Sequence, residues 1–229
     1  MVDSYEPARS RLFARLASAM GDSPVLHAMR AVPRHLFVSP KLRHRAYDNA
    51  PLTIGHGQTI SQPTMVARMT LALMLRGDER VLEVGAGCGY QAAILGELLP
   101  FGNVIAVERI PDLVSAAWRN LETCGVNNVE IVAATNVLGA PDRGPYDAIL
   151  VSAGAPSVPD SLVAQLKPDG RLVIPVGDRE RQTLTLVRVS ANQRVTRRLT
   201  ECRFVPLLGV EAWPENFWDS IPLLESIDP

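Results

Sequence analysis

The chain has 229 residues, 47% of them hydrophobic and 21% charged, which supplies a core for one α/β domain with modest additions and no need of cross-links. Lys and Arg number 23 against 24 Asp and Glu, a net charge of −1 with no block of one sign, so no long-range field favours nucleic acid or an anionic membrane. The three cysteines, Cys88, Cys124 and Cys202, are widely spaced and odd in number, which argues against a disulfide framework or a close-paired metal site and suits a reducing cytoplasm.

Residues 1–10 carry Asp3, Glu6 and Arg9 without an apolar run, so no secretory leader is expected, and the apolar stretches elsewhere are too short to span a membrane. Residues 5–20 read as a helix with Ala8, Leu12, Leu16 and Met20 on one stripe and Gly21 as its stop. Ser23-Pro24 opens a second helix to about Met29. From Val32 to Ile60 the pattern is irregular, with Pro33, Pro40, Pro51, Gly55 and Gly57 among Leu36, Phe37, Val38 and Ile54. A loop that long and that apolar is ordered and functional rather than disordered.

Periodicity returns at Pro63, where Met65, Met69 and Leu73 mark a helix that Gly77-Asp78 ends. A strand over Arg80–Val84, a glycine loop and a helix over Tyr90–Leu99 follow. Next come a strand from Asn103 to Val107 that ends at Glu108, and a helix from Pro111 with Leu113, Ala117, Leu121 and Cys124 on its face and Gly125 as its stop. Strands are predicted over Val129–Ala133 and Tyr146–Val151, a helix over 159–167, and a strand over Arg171–Val176 after the turn Lys167-Pro168-Asp169-Gly170. Thr183–Val189 and Val195–Val205 read as a closing antiparallel hairpin. Alternation of strand and helix from 63 to 176 predicts a mostly parallel, doubly wound sheet with an antiparallel C-terminal edge and an N-terminal helical cap. One domain is expected: helices and a loop over 1–62, a core over 63–208 and a tail over 209–229. In that tail Trp213, Phe217, Trp218, Ile221 and Leu224 suggest a segment docked on the sheet edge.

The glycine loop selects among ligands. Gly85-Ala86-Gly87-Cys88-Gly89 follows a strand and opens a helix, where the chain must turn sharply and let a ligand approach the backbone. A dinucleotide fingerprint needs its third glycine at position 90, which is Tyr. With Gly89 instead, the spacing is G-x-G-x-G, typical of enzymes that bind S-adenosylmethionine, whose cofactor has no phosphate to seat. Glu83, just before the loop, suits a cationic ligand. Glu108 lies 108 − 85 = 23 positions beyond Gly85, where a carboxylate accepts from ribose hydroxyls. Cys88 reads as a small loop-filling side chain.

Several further segments resemble the protein-L-isoaspartate O-methyltransferase family: Tyr47 to Pro63, above all Gly55-His56-Gly57-Gln58-Thr59-Ile60-Ser61-Gln62-Pro63; Val32-Pro33-Arg34 before Phe37; Glu83 to Ala93; Pro145 to Ile149; Leu166-Lys167-Pro168 through Gly177; and Arg203 to Leu207. The resemblance spans about residues 30–208 and implies a Rossmann-like class I methyltransferase fold. It also implies transfer of a methyl group from S-adenosylmethionine to the abnormal α-carboxylate of L-isoaspartyl residues in damaged proteins or peptides, with S-adenosylhomocysteine as product. The ester then closes to a succinimide unaided, and hydrolysis returns some normal aspartate.

By that resemblance Ser61 is the catalytic contact to the substrate carboxylate, with Gln58, Thr59 and Ile60 beside it. Glu83, Gly85, Ala86, Gly87, Gly89, Gln91, Glu108, Arg109, Thr135 and Asn136 form the cofactor set. A carboxylate of pKa near ~4 is already ionised at neutral pH, so the chemistry requires no general base, and His56 reads as loop structure. Ser61 before Pro63 could equally be a helix cap. The match departs from the family after the third strand, where Gly-Asp-Gly gives way to Ala134-Thr135-Asn136. Thr135 or Asn136 could then accept from the adenine amino group, and a neutral acceptor is weaker. Two other readings stay open on the residues alone: a related methyltransferase with a changed acceptor, and a non-catalytic cofactor- or peptide-binding relative. No metal is expected, and the chain is expected to act as a monomer.

Overall fold

The computed structural model describes residues 4–190 and 193–214. Helices α1 (Glu6–Met20) and α2 (Pro24–Ala31) open the chain, and Ser23 caps α2 by accepting from the Leu26 N–H. The stretch expected to be irregular is built from small pieces. Two 3-10 turns cover Arg34–Phe37 and Pro40–Arg45, and a hairpin pairs β1 (Leu52–Gly55) with β2 (Gln58–Ile60). Its two-residue turn, His56-Gly57, has φ of 53° and 69°, the left-handed pair such a turn needs. Histidine stands where Asn is usual, and strands of four and three residues are too short to show alternation, so the hairpin leaves little trace in the sequence pattern.

Helix α3 (Pro63–Leu73) ends earlier than Gly77, at Met74 with φ 49°. The reason is non-local: the Arg171 guanidinium donates to the carbonyls of Leu73 and Met74, the last of the helix. Then β3 (Arg80–Val84), α4 (Tyr90–Leu98), β4 (Asn103–Glu108), α5 (Pro111–Thr123), β5 (Val129–Ala133) and β6 (Tyr146–Val151) follow as predicted. The helix expected over 159–167 is a single turn, α6 (Asp160–Val163). Strand β7 (Leu166–Gly177) starts in its place, because Leu166 pairs with Tyr146 ahead of the turn. Asp169, at φ 63°, carries that turn, and the pairing shifts register across it. Strands β8 (Gln182–Ser190) and β9 (Gln193–Cys202) make the antiparallel edge.

The seven strands lie in the order β5-β4-β3-β6-β7-β8-β9, the first five parallel. Order reverses at β3, so its carboxyl end opens a crevice between β4 and β6, where ligands of open α/β sheets bind. Side chains alternate along β3: Val81 joins a core shared with α1 to α4, whereas Leu82 and Val84 enter the core on the opposite face. The outermost strand, β9, is exposed along most of its length and carries Arg194, Arg197 and Arg198. Beyond it, 205–213 turns back onto the sheet, with the Leu207 N–H on the Gly154 carbonyl and the Trp213 N–H on the Leu207 carbonyl. Phe217, Trp218, Ile221 and Leu224 lie outside the described residues.

Candidate active site

A cleft of about 530 Å³ opens at the carboxyl ends of β3, β4 and β6. Its floor is the glycine loop. The N–H groups of Gly85 and Ala86 both donate to the Val107 carbonyl, at 2.9 and 3.0 Å, which fastens the loop to β4. Gly85 and Gly87 sit at φ 88° and 55°, where a side chain would be strained. A Cβ on Gly87 would also come within 3.2 Å of Ile54 of the hairpin, so the two loops meet here. Gly89 lies outside the cleft wall; its missing Cβ lets α4 pack against Ala117 of α5. The third glycine of the motif is thus a helix-packing residue.

Glu108 is held by three backbone N–H groups: Gly87 at 2.8 Å on Oε2, and Arg109 at 2.8 Å and Ile110 at 2.9 Å on Oε1. Of about four lone pairs on a carboxylate, one on Oε2 remains for a hydroxyl. Acceptance from both ribose hydroxyls would require the Gly87 N–H to give way.

Glu83 is wholly buried among apolar strands, and its surroundings are poor. Ser152 Oγ donates to Oε1 at 3.3 Å, and Oε2 has no partner among the described residues. Burial, with the Glu108 charge adding to it and the Ser152 bond opposing, pushes its carboxyl up to about 8. A buried carboxyl with a bare oxygen on a cleft wall fits a ligand that brings positive charge and N–H donors. The donor set, the bare oxygen and the glycine floor therefore fit S-adenosylmethionine.

Gln91 lines the same cleft and donates to Thr70 Oγ1 at 3.0 Å. Arg109, Thr135 and Asn136 border it on the β4–β5 side. Thr135 Oγ1 already accepts from the Val137 N–H at 3.3 Å, an ordinary side-chain turn. Burial pushes the Cys88 thiol up to about 11, which keeps it protonated and accords with loop filling.

The hairpin supplies the opposite wall through Gln58, Thr59, Ile60 and Ser61. Ser61 is not the helix cap: that position is Gln62, and no side chain of its own caps α3. Asn49 does the work from the preceding loop, its Oδ1 accepting from the Thr64 N–H at 3.0 Å and from Thr64 Oγ1 at 2.8 Å. His56 stands at the rim, 3.3 Å from Asp112, in the positive-φ turn. A second cavity of about 250 Å³ adjoins the first, and Thr59, Ser61, Ser152 and Val205 line both. Ser152 and Val205–Gly209 were missed as site residues from the sequence. The position of Ser152 one residue beyond β6, beside the sheet's switch point, was the available signal.

The profile of the protein-L-isoaspartate(D-aspartate) O-methyltransferase family matches residues 9–212. The chain belongs to that family. A protein-L-isoaspartate O-methyltransferase of Methanopyrus kandleri is 50% identical over 92% of this chain and 96% of its own length. One from Aeropyrum pernix is 47% identical over 94% of this chain and 86% of its own. A solved Plasmodium falciparum structure, described as a protein-L-isoaspartate O-methyltransferase in complex with S-adenosyl-L-homocysteine, superposes with a TM-score of 0.75. It is 28% identical and covers 86% of this chain and 96% of its own.

Proposed function

We propose that this family member is an S-adenosylmethionine-dependent carboxyl O-methyltransferase acting on L-isoaspartyl residues of damaged proteins and peptides, and that Ser61 orients the acceptor carboxylate. The observation that carries the reading is the pair of adjoining cavities with Ser61 and Ser152 on their common wall. The larger is lined by the glycine loop and the Glu83 and Glu108 carboxyl groups, and the smaller, of about 250 Å³, has room for a peptide side chain.

When bound, S-adenosylmethionine supplies an electrophilic methyl group, which a carboxylate oxygen takes as the C–S electron pair passes to sulfur. The protein's part is placement. Glu83 would hold the cationic amino-acid portion with its bare oxygen, Glu108 would accept from the ribose, and Thr135 or Asn136 would accept from the adenine edge. Ser61 Oγ donates one hydrogen bond to the acceptor carboxylate. That fixes its direction yet leaves more charge on the oxygen than a guanidinium or ammonium would. Gln58, Thr59 and Ile60 line the approach. No residue need move a proton, since the acceptor arrives ionised. The three cysteines, all free, support a reducing cytoplasm as the compartment.

The test is methyl transfer from labelled donor to an isoaspartyl peptide and to its normal aspartyl twin. Transfer to the first alone is expected, with Ser61→Ala lowering kcat on the order of 100-fold. Equal labelling of both peptides, or of neither, would overturn the proposal.

A further inference from the structure

The least expected side chain in the molecule is Arg34, which is 1% exposed. No carboxylate pairs with it among the described residues. A buried guanidinium without a counter-ion is costly, so its remaining contacts must explain its place. Its Nε donates to the Ala46 carbonyl at 2.8 Å and its Nη2 to the Ser61 carbonyl, also at 2.8 Å. Those carbonyls are the two ends of one excursion of the chain. Everything between them is the loop and hairpin that carry Ile54, Gln58 and Thr59 to the cleft. The cation also lies over the Tyr90 ring, 4.9 Å from its centroid, and Tyr90 is the first residue of the helix that leaves the glycine loop. One rigid fork therefore touches the acceptor side through Ser61 and the donor side through Tyr90.

We infer that Arg34 is a positioning residue that sets the distance between Ser61 and the glycine loop, by clamping the ends of the hairpin excursion and bearing on Tyr90. The inference rests on the reading of Ser61 given above. Arg34 reaches Ser61 only through its carbonyl, so its effect on the reaction passes through the serine. A lysine cannot replace it, because one ammonium on a flexible stem does not hold two carbonyls at fixed directions while resting a flat face on a ring.

The experiment compares Arg34→Lys and Arg34→Met, each alone and combined with Ser61→Ala. The readouts are kcat on an isoaspartyl peptide and the Kd for S-adenosylhomocysteine. Both single variants are expected to lose about 10–100-fold in kcat, the scale of a misplacement near 1 Å, with the Kd within about threefold of wild type. On the Ser61→Ala background either substitution should cost less than about threefold further, since neighbours acting through one contact are not additive. Wild-type kcat in Arg34→Lys would overturn the inference, as would a full repeat of the loss on the Ser61→Ala background. Loss of S-adenosylhomocysteine binding in both variants would also overturn it, because Arg34 would then be holding the fold. If wild type transfers no methyl group to the peptide, the functional reading fails; the clamp fails alone when wild type transfers and Arg34→Lys does so equally well.

Discussion

Two glutamates four residues apart, both buried, are treated by this protein in opposite ways. Glu79 accepts from the N–H groups of Arg76 and Gly77 and pairs with Arg171 at 2.7 Å. Burial alone would raise its pKa, but those donors outweigh it and hold the carboxyl below 4.5. Glu83 has one long hydrogen bond and a bare oxygen, and its pKa stands far above the ordinary value. The satisfied group joins the end of α3 to β3 and β7. The unsatisfied group faces a cleft. Burial of charge therefore does not by itself mark function; the missing partner does.

The largest break in this comparison comes from Glu79→Ala, which leaves the half-buried Arg171 without its counter-ion. A loss of about 3 kcal/mol is expected in chemical denaturation, while the folded fraction keeps its S-adenosylhomocysteine affinity. Because the folded pKa is depressed, the Glu79 contribution is fully present above pH 4.5 and fades as pH falls below it. Weaker cofactor binding in the folded variant would merge the two roles that the structure keeps apart.

Glu83→Gln should do the reverse. Titration calorimetry at pH 8 should show S-adenosylhomocysteine binding weakened by roughly 10–100-fold, the worth of one charge-assisted hydrogen bond. Stability should rise, because the raised native pKa makes Glu83 cost stability progressively as pH climbs from 4.5 to about 8. A Tm difference between variant and wild type that grows across that window is the diagnostic; a flat one would remove the unusual proton from the account.

A milder effect follows in the wild type. A ligand that brings positive charge favours the ionised Glu83, so binding releases protons below pH 8. Affinity for S-adenosylhomocysteine should climb from pH 6 and level off near 8. Calorimetry in buffers of different ionisation enthalpy counts the protons directly.

The smallest change is at the exposed rim. Thr135→Asp, which puts a carboxylate where the family usually has one, should tighten binding by about threefold, since an exposed charge is screened. A gain as large as the Glu83 loss would mean that exposure matters less than the comparison claims.

Much of this was legible in the residues. The parallel core needed only local periodicity and glycine stops, and β3 through β6 follow it. One wall of the cleft follows from Glu83, Gly85, Gly87 and Glu108, because a strand, a loop and the next strand carry them in order. What escaped depends on contacts far apart in sequence. Arg171 ends α3 from 97 residues away, Asn49 caps it across 15, and Arg34 reaches Ser61 across 27. Each is a polar side chain whose partner is a backbone group, and backbone groups carry no letter of the sequence. Gly89 has a packing role that escaped for a related reason: its neighbour in space is Ala117, which no loop motif mentions.

The outermost strand has a consequence for the company this protein keeps. Partly unfolded chains seek sheet margins to extend, and a methyltransferase for damaged polypeptides meets such chains continually. Arg194, Arg197 and Arg198 along β9 place fixed positive charge and bulky stems on that margin. A strand that added itself there would have to accommodate them, which makes this margin a costly one to extend.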